Sequence, residues 1–276
     1  MRGLHYGSRG EVRILALHGW LDNAESFSAL SPRIVSGNAE LVALDFCGHG
    51  LSDPPPAGAS FHYLDHVADI AATVAHLEWE TFHLIGHSMG GGLALVYTAL
   101  FPKKVLSLVS IDALGPMGQK DEETPRIMAE AVTARLSGPP PARTFTGFDD
   151  AVDARCRDGH IERTSASQLA KRGVAQIESG FVWTADRRHR LPSLSRLTQG
   201  QINALLAAVE CPTLVLWARD SQYASLVDRL KGRADRLKDV RVEALPGGHH
   251  LHMDQPEPVA ECINAFLAEL SQVVAG

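Results

Sequence analysis

Gly86-His87-Ser88-Met89-Gly90 joins an apolar, strand-like run at 81–85 to a helix-like run at 91–101, and this passage restricts the fold more tightly than any other. A backbone that turns from strand to helix within five residues bends sharply. A side chain at either flanking glycine would then collide with the neighbouring strand or helix. Ser88, at the apex, is thereby raised above the sheet as a candidate nucleophile. The plainer alternative is that Gly90, Gly91 and Gly92 only let a helix pack closely on a sheet, with Ser88 as its cap.

Apolar runs rich in Val, Ile and Leu recur at 12–17, 41–44, 82–85, 105–111, 212–217 and 240–245, and these read as strands buried on both faces of a mostly parallel sheet. Helix-like stretches at 62–77, 91–101, 221–230 and 258–270 separate or follow them. Alternation of this kind predicts an α/β fold, a central sheet flanked by helices. The rhythm breaks between Pro116 and Val209, where helical patterns occur without a convincing buried strand. The expectation is a core of residues 1–115 and 210–276 with an inserted helical cap at 116–209. Within the cap, Ser137-Gly138-Pro139-Pro140-Pro141 reads as a loop. Phe145, Phe148, Phe181 and Trp183 either line a pocket or pack the cap's own core.

With 276 residues, 45% hydrophobic and 21% charged, the chain can bury a full core. A net charge of -6 and the absence of a long Lys/Arg run argue against a nucleic-acid partner and favour a small-molecule substrate. No run of about 18 apolar residues is present to span a bilayer, and the N-terminus lacks the apolar core of a secretory signal. The expectation is therefore a cytoplasmic protein without integral membrane association; no pattern speaks to oligomeric state. Cys47, Cys156, Cys211 and Cys262 are widely spaced without a C-x-x-C, which predicts reduced, mostly buried thiols. Arg187, Arg188 and Arg190 beside Asp186 read as a solvated surface cluster, with an anion site as the alternative.

A serine hydroxyl is a poor nucleophile at neutral pH and needs a base, which a carboxylate in turn orients. His249 follows Gly247 and Gly248 directly after the last strand-like run, on an edge from which it can reach Ser88. Two aspartates stand at strand ends between Ser88 and His249 in the chain: Asp112 after 105–111 and Asp220 after 212–217. Either could accept from the far ring nitrogen of His249. The developing oxyanion needs donors, and the backbone N–H groups of Trp20 and of Met89 are the candidates. His250, His252 and Asp254 match part of a H-x-H-x-D metal motif, but Gln255 stands where that motif has another histidine, so no metal ligand is assigned.

These residues resemble the α/β-hydrolase family over essentially the whole chain. His18-Gly19-Trp20 resembles its oxyanion loop, Asp45-Phe46-Cys47-Gly48-His49-Gly50-Leu51-Ser52 its D-x-x-G-x-G-x-S turn, 86–90 its nucleophile elbow and Gly248-His249 its terminal histidine motif. The stretch 18–23, the Arg-rich 186–190 and 248–252 are further similar to the serine-hydrolase-like subgroup. Trp217-Ala218-Arg219-Asp220 is one residue shorter than the W-G-x-x-D that carries the acid in many members, whereas Ile111-Asp112-Ala113 resembles the strand-end acid site of haloalkane dehalogenases and some other members. The resemblance thus favours Asp112 over Asp220. Ser88, where dehalogenases and epoxide hydrolases carry an aspartate, points to acyl transfer. Leu4-His5-Tyr6 reads as the remnant of the family's N-terminal hairpin, either a short N-terminus without catalytic meaning or an exposed sheet edge for a partner to cover.

The expectation is a serine esterase or related hydrolase acting on an ester or thioester, with Ser88, His249 and Asp112 as triad, Trp20 and Met89 as oxyanion donors, and no cofactor or metal. The alternatives are a carbon–carbon hydrolase, acyltransferase or perhydrolase on the same machinery, or a ligand-binding protein that has lost catalysis.

Overall fold

The computed structural model describes residues 1–35, 37–223 and 232–275. Its strands, in chain order, are β1 (Arg2–Gly7), β2 (Val12–Leu17), β3 (Ala39–Asp45), β4 (Phe82–His87), β5 (Val105–Ile111), β6 (Thr144–Phe145), β7 (Val174–Ile177), β8 (Gly180–Trp183), β9 (Thr213–Ala218) and β10 (Val240–Leu245). Seven of them form one sheet in the order β1-β3-β2-β4-β5-β9-β10, parallel except for β1, and β6, β8 and β7 form a small antiparallel sheet. Register aligns Leu17 with Gly86, Gly86 with Ser110, and Ile111 with Leu216. The carboxyl ends of β2, β4, β5 and β9 are therefore brought side by side along one edge of the sheet, where α/β folds place their sites.

Strand periodicity sorts the apolar side chains into two buried layers. Leu15, Leu17, Leu84, Leu108 and Val215 face one way, against Val67, Ile70, Leu93 and Leu95 of the Asp65–His76 and Met89–Leu100 helices. Ile14, Ala16, Ile85, Val109, Leu214 and Leu216 face the other way, against Phe27, Leu30 and the Pro256–Ala275 helix through Val259, Ile263 and Phe266. Of the helix expected at 221–230, residues 224–230 fall outside the described residues.

Several expectations are corrected. At the N-terminus a single six-residue strand, β1, stands where the resemblance implies a hairpin; it runs antiparallel to β3 with Leu4 and Tyr6 packed on the core, and is itself the edge of the sheet. Strand β10 is not buried on both faces, because it ends the sheet and leaves Val242 45% exposed. Between β5 and β9 the chain builds the Thr124–Ser137, Phe148–Gly159, Arg163–Gly173 and Gln199–Ala208 helices, but also β6, β7 and β8. Those strands are two to four residues long and mostly half-exposed, too short and too wet to print a buried apolar run. The Gln199–Ala208 helix packs back on the main core through Ile202 and Leu206. Phe145, Phe148, Phe181 and Trp183 pack together with Val174, away from the cavity described below. The four cysteines are free, but only Cys211 is buried, the other three being partly exposed.

Candidate active site

The turn after β4 is as tight as its glycines require. Ser88 has φ 52 and ψ -114, a left-handed conformation that a non-glycine residue adopts only when its surroundings enforce it. The Ser88 N–H donates to Ile111 O at 3.0 Å, and the Ser88 carbonyl accepts from Gly92 N at 3.0 Å. A Cβ at Gly86 would lie 2.4 Å from Gly90 O, and one at Gly90 would lie 2.1 Å from Leu17 O. Both contacts are with backbone, so neither neighbour can yield cheaply. Ser88 is half-buried at the floor of a cavity.

His249 arrives from the far end of the chain, on the loop after β10. Its Nδ1 lies 2.6 Å from Asp112 Oδ2 and its Nε2 lies 2.9 Å from Ser88 Oγ. An ionised carboxylate only accepts, so Nδ1 carries the proton and Nε2 is left to accept from the serine hydroxyl. Asp112, at the end of β5 and itself at φ 48, takes further bonds from Ala218 N at 3.1 Å and Ser221 Oγ at 2.7 Å. Both oxygens are thereby held in place, with Oδ2 facing His249. Asp220 is exposed and engaged elsewhere: its Oδ2 accepts from Gly247 N at 3.0 Å and its N–H donates to Gly247 O at 3.0 Å. That pair of bonds clamps the turn leading into His249.

Trp20 ends the segment after β2, and its indole Nε1 donates to His189 O at 3.1 Å. The backbone N–H groups of Trp20 and Met89 donate to no acceptor among the described residues. The segment is held by His18, whose Nδ1 donates to Gly19 O at 2.7 Å and whose Nε2 accepts from Phe46 N at 3.1 Å. Burial pushes the pKa of His18 down, so a neutral ring bridges the ends of β2 and β3. At the neighbouring turn, Asp45 accepts from Ala24 N at 2.7 Å, Leu51 N at 3.0 Å and Arg172 Nε at 2.7 Å, a structural knot rather than a reacting group.

Beneath the serine lies a buried polar layer that the sequence did not announce. His87 Nε2 donates to the His249 carbonyl at 2.9 Å, and His87 Nδ1 stands 3.7 Å from Asp22 Oδ2. His250 Nε2 is 3.4 Å from the same oxygen, and Arg155 pairs with Asp22 Oδ1. Burial alone would raise the Asp22 carboxyl; the Arg155 guanidinium, with His250 and His87, holds it well below the usual carboxylate range. His252 instead bonds Ser26 Oγ through Nε2 at 2.7 Å, and Asp254 faces Glu162 N, so the H-x-H-x-D residues do not converge. Asp22 and His87 lie inside motifs already noted, but neither pattern assigns the residue a partner.

The cavity above Ser88 has a volume of about 640 Å³ and is lined in part by Trp20, Phe61, Leu64, Met117, Pro192 and Tyr223. His66 and His189 also form part of its wall. Arg188 reaches it too, but its guanidinium is occupied by Asp186 and by the carbonyls of Pro55, Pro56 and Ala59. Arg187 donates to Pro140 O at 2.9 Å, and Arg190 sits 5.7 Å over the Trp20 ring. Arg187 and Arg190 are exposed, as a solvated cluster requires, whereas Arg188 is a staple whose guanidinium is taken up by Asp186 and loop carbonyls.

Residues 12–256 match the family described as the alpha/beta hydrolase fold. A serine hydrolase-like protein of Danio rerio is 31% identical, the alignment covering 97% of this chain and 85% of that protein. Serine hydrolase-like protein 2 of Homo sapiens is 30% identical over 95% of this chain and 88% of its own length. Among solved structures, a hypothetical protein of Pseudomonas aeruginosa PAO1 superposes with a TM-score of 0.91 at 35% identity, covering 96% of this chain and 95% of the other. The thioesterase domain from the curacin biosynthetic pathway shares the fold at a TM-score of 0.82 and 23% identity, over 94% of this chain and 93% of that domain.

Proposed function

The chain belongs to the α/β-hydrolase fold family, and from that premise we propose that it is a serine hydrolase cleaving an ester-type bond, a carboxylic ester or thioester, of a small molecule. The observation that carries this reading is the unbroken series from Ser88 Oγ to His249 Nε2 at 2.9 Å and from His249 Nδ1 to Asp112 Oδ2 at 2.6 Å. A half-buried hydroxyl, an imidazole within hydrogen-bond reach of it and a carboxylate with its other bonds already made form the set that acyl transfer requires.

In the proposed reaction Ser88 Oγ attacks the substrate carbonyl as its proton passes to His249 Nε2. Asp112 stabilises the resulting imidazolium and stays ionised. The carbonyl oxygen, now negative, takes hydrogen bonds from the Trp20 and Met89 N–H groups, each donor of this kind contributing about 3 kcal/mol to the transition state. The Met89 amide opens the Met89–Leu100 helix, so the helix dipole adds to its pull. His249 then protonates the leaving alcohol or thiol, and water repeats the sequence to release the acid from Ser88. A cavity of about 640 Å³ with apolar walls suits a small acyl group, falling within the range typical of small-molecule sites.

Ser88→Ala should abolish turnover of a p-nitrophenyl ester while leaving the circular dichroism spectrum and thermal midpoint close to wild type. Retained activity in that variant would refute the proposal.

A further inference from the structure

Three histidines from distant parts of the chain converge beside the Ser88 cavity, His66 and His189 lining it and His49 buried next to them. His49 lies in the turn after β3, His66 near the start of the Asp65–His76 helix, and His189 in the single helical turn Arg187–Arg190. Each offers one ring nitrogen, and the three lie within 4.8 Å of one another. The ring centroids of His49 and His189 are 4.0 Å apart, and those of His66 and His189 are 5.5 Å apart. Gly48 makes room for this approach, since a Cβ there would fall 2.7 Å from His189 Nε2.

The opposite nitrogen of each ring is tied to an oxygen. His66 Nδ1 is 2.9 Å from Asp69 Oδ2, His189 Nε2 is 3.0 Å from Cys47 O, and His49 Nδ1 is 3.3 Å from the same carbonyl. Metal-binding imidazoles are oriented in this way, because an N–H held by a carboxylate or carbonyl fixes the tautomer and leaves the other nitrogen as a bare lone pair. The nitrogens left over are Nε2 of His49, Nε2 of His66 and Nδ1 of His189. None has a hydrogen-bond partner among the described residues, and His49 Nε2 is fully enclosed. His49 is 1% exposed and His66 3%. Plain packing of aromatic rings would not account for a buried ring nitrogen left without a hydrogen bond.

We propose that His49, His66 and His189 form a binding site for a divalent transition ion of the zinc type, with the remaining coordination position open to the cavity that Ser88 lines. Three neutral imidazoles suit zinc, cobalt, nickel or copper rather than magnesium or calcium, and three protein nitrogens with one open position match the ligand count of open zinc sites. Burial, then the neighbouring imidazoles, pushes the pKa of His49 well down. Burial and His66 likewise lower His189, to about 4. The second histidine cluster, Asp22 with His87 and His250, is the poorer candidate, because Arg155 already neutralises its carboxylate.

The test is titration of the purified protein with Co2+, followed by its visible d–d absorption, with Zn2+ displacement giving the zinc affinity. The expected result is one strong site whose band is lost in His189→Gln, a change at a half-buried position. Asp69→Asn, which alters the carboxylate that holds His66 Nδ1 and accepts from Cys47 N at 3.4 Å, should weaken binding by about 10–100-fold. A crystal soaked in Zn2+ provides a readout that needs no variant, the anomalous peak being expected between the three rings. The absence of cobalt binding at millimolar metal, a band unchanged in His189→Gln, or an anomalous peak elsewhere would overturn the proposal. None of these readouts depends on hydrolysis, so they stand or fall independently of the role proposed for Ser88.

Discussion

At the scale of single residues, the division of labour between two aspartates is the sharpest consequence of the geometry. Asp112 Oδ2 faces His249, whereas Asp220 Oδ2 accepts from Gly247 N. Asp112→Asn replaces an acceptor with an amide that cannot hold the required tautomer, and kcat should fall about 10,000-fold. Asp220→Asn keeps an acceptor oxygen for Gly247 and should leave kcat within about threefold of wild type. Steady-state kinetics on one activated ester compares them, and a crippled Asp220→Asn beside an active Asp112→Asn would reverse the assignment. The sequence narrowed the acid to these two because both follow strands. Strand ends alone left them open and only the family resemblance favoured Asp112, because the difference lies in where each carboxylate points, which is set by Ala218 N and Ser221 Oγ meeting Asp112 from another strand end. The zinc-type cluster was hidden for a related reason: 49, 66 and 189 form no spacing that a motif can express.

At the scale of elements, the strand-turn-helix of 82–100 was legible because its requirements are local. Two glycines, one short turn and two apolar periods sit within about twenty residues of each other. Gly90→Ala should be among the most damaging small substitutions in the chain, since its Cβ would sit 2.1 Å from Leu17 O with only backbone to give way. Expression as insoluble protein, or a loss of more than about 3 kcal/mol in denaturant unfolding, is expected, and near-wild-type stability would contradict the packing described. Strands β1, β6, β7 and β8 were missed for the opposite reason. Their pairing depends on partners far along the chain, and in β1 only Leu4 and Tyr6 alternate toward the core. A single polar-faced strand of that length resembles a loop until the edge of β3 is known.

At the scale of the whole molecule, the segment between β5 and β9 is tied to the sheet by ion pairs at the site itself. Arg155 pairs with Asp22 beneath Ser88, and Arg172 pairs with Asp45 at 2.7 Å. Arg155→Met removes the partner of a carboxylate that is 2% exposed, and should lower stability by about 3–5 kcal/mol in a urea titration; a loss below about 1 kcal/mol would show the pair to be dispensable. Acid should also destabilise the fold through buried neutral histidines. Burial lowers His83 to about 4 and His252 to about 3. Below about pH 6.5 the unfolded chain binds protons that the folded chain refuses, so stability falls as pH drops from there toward 4. His83→Gln should reduce that slope, by at most about 1.4 kcal/mol per pH unit, and an unchanged slope would contradict the burial. The proposed chemistry reduces to whether Ser88 alone, among all hydroxyls, is nucleophilic. Mass spectrometry after treatment with a fluorophosphonate reads this directly. The expected result is one adduct, on Ser88, absent in His249→Ala; no adduct, or one on another residue, would contradict a serine hydrolase.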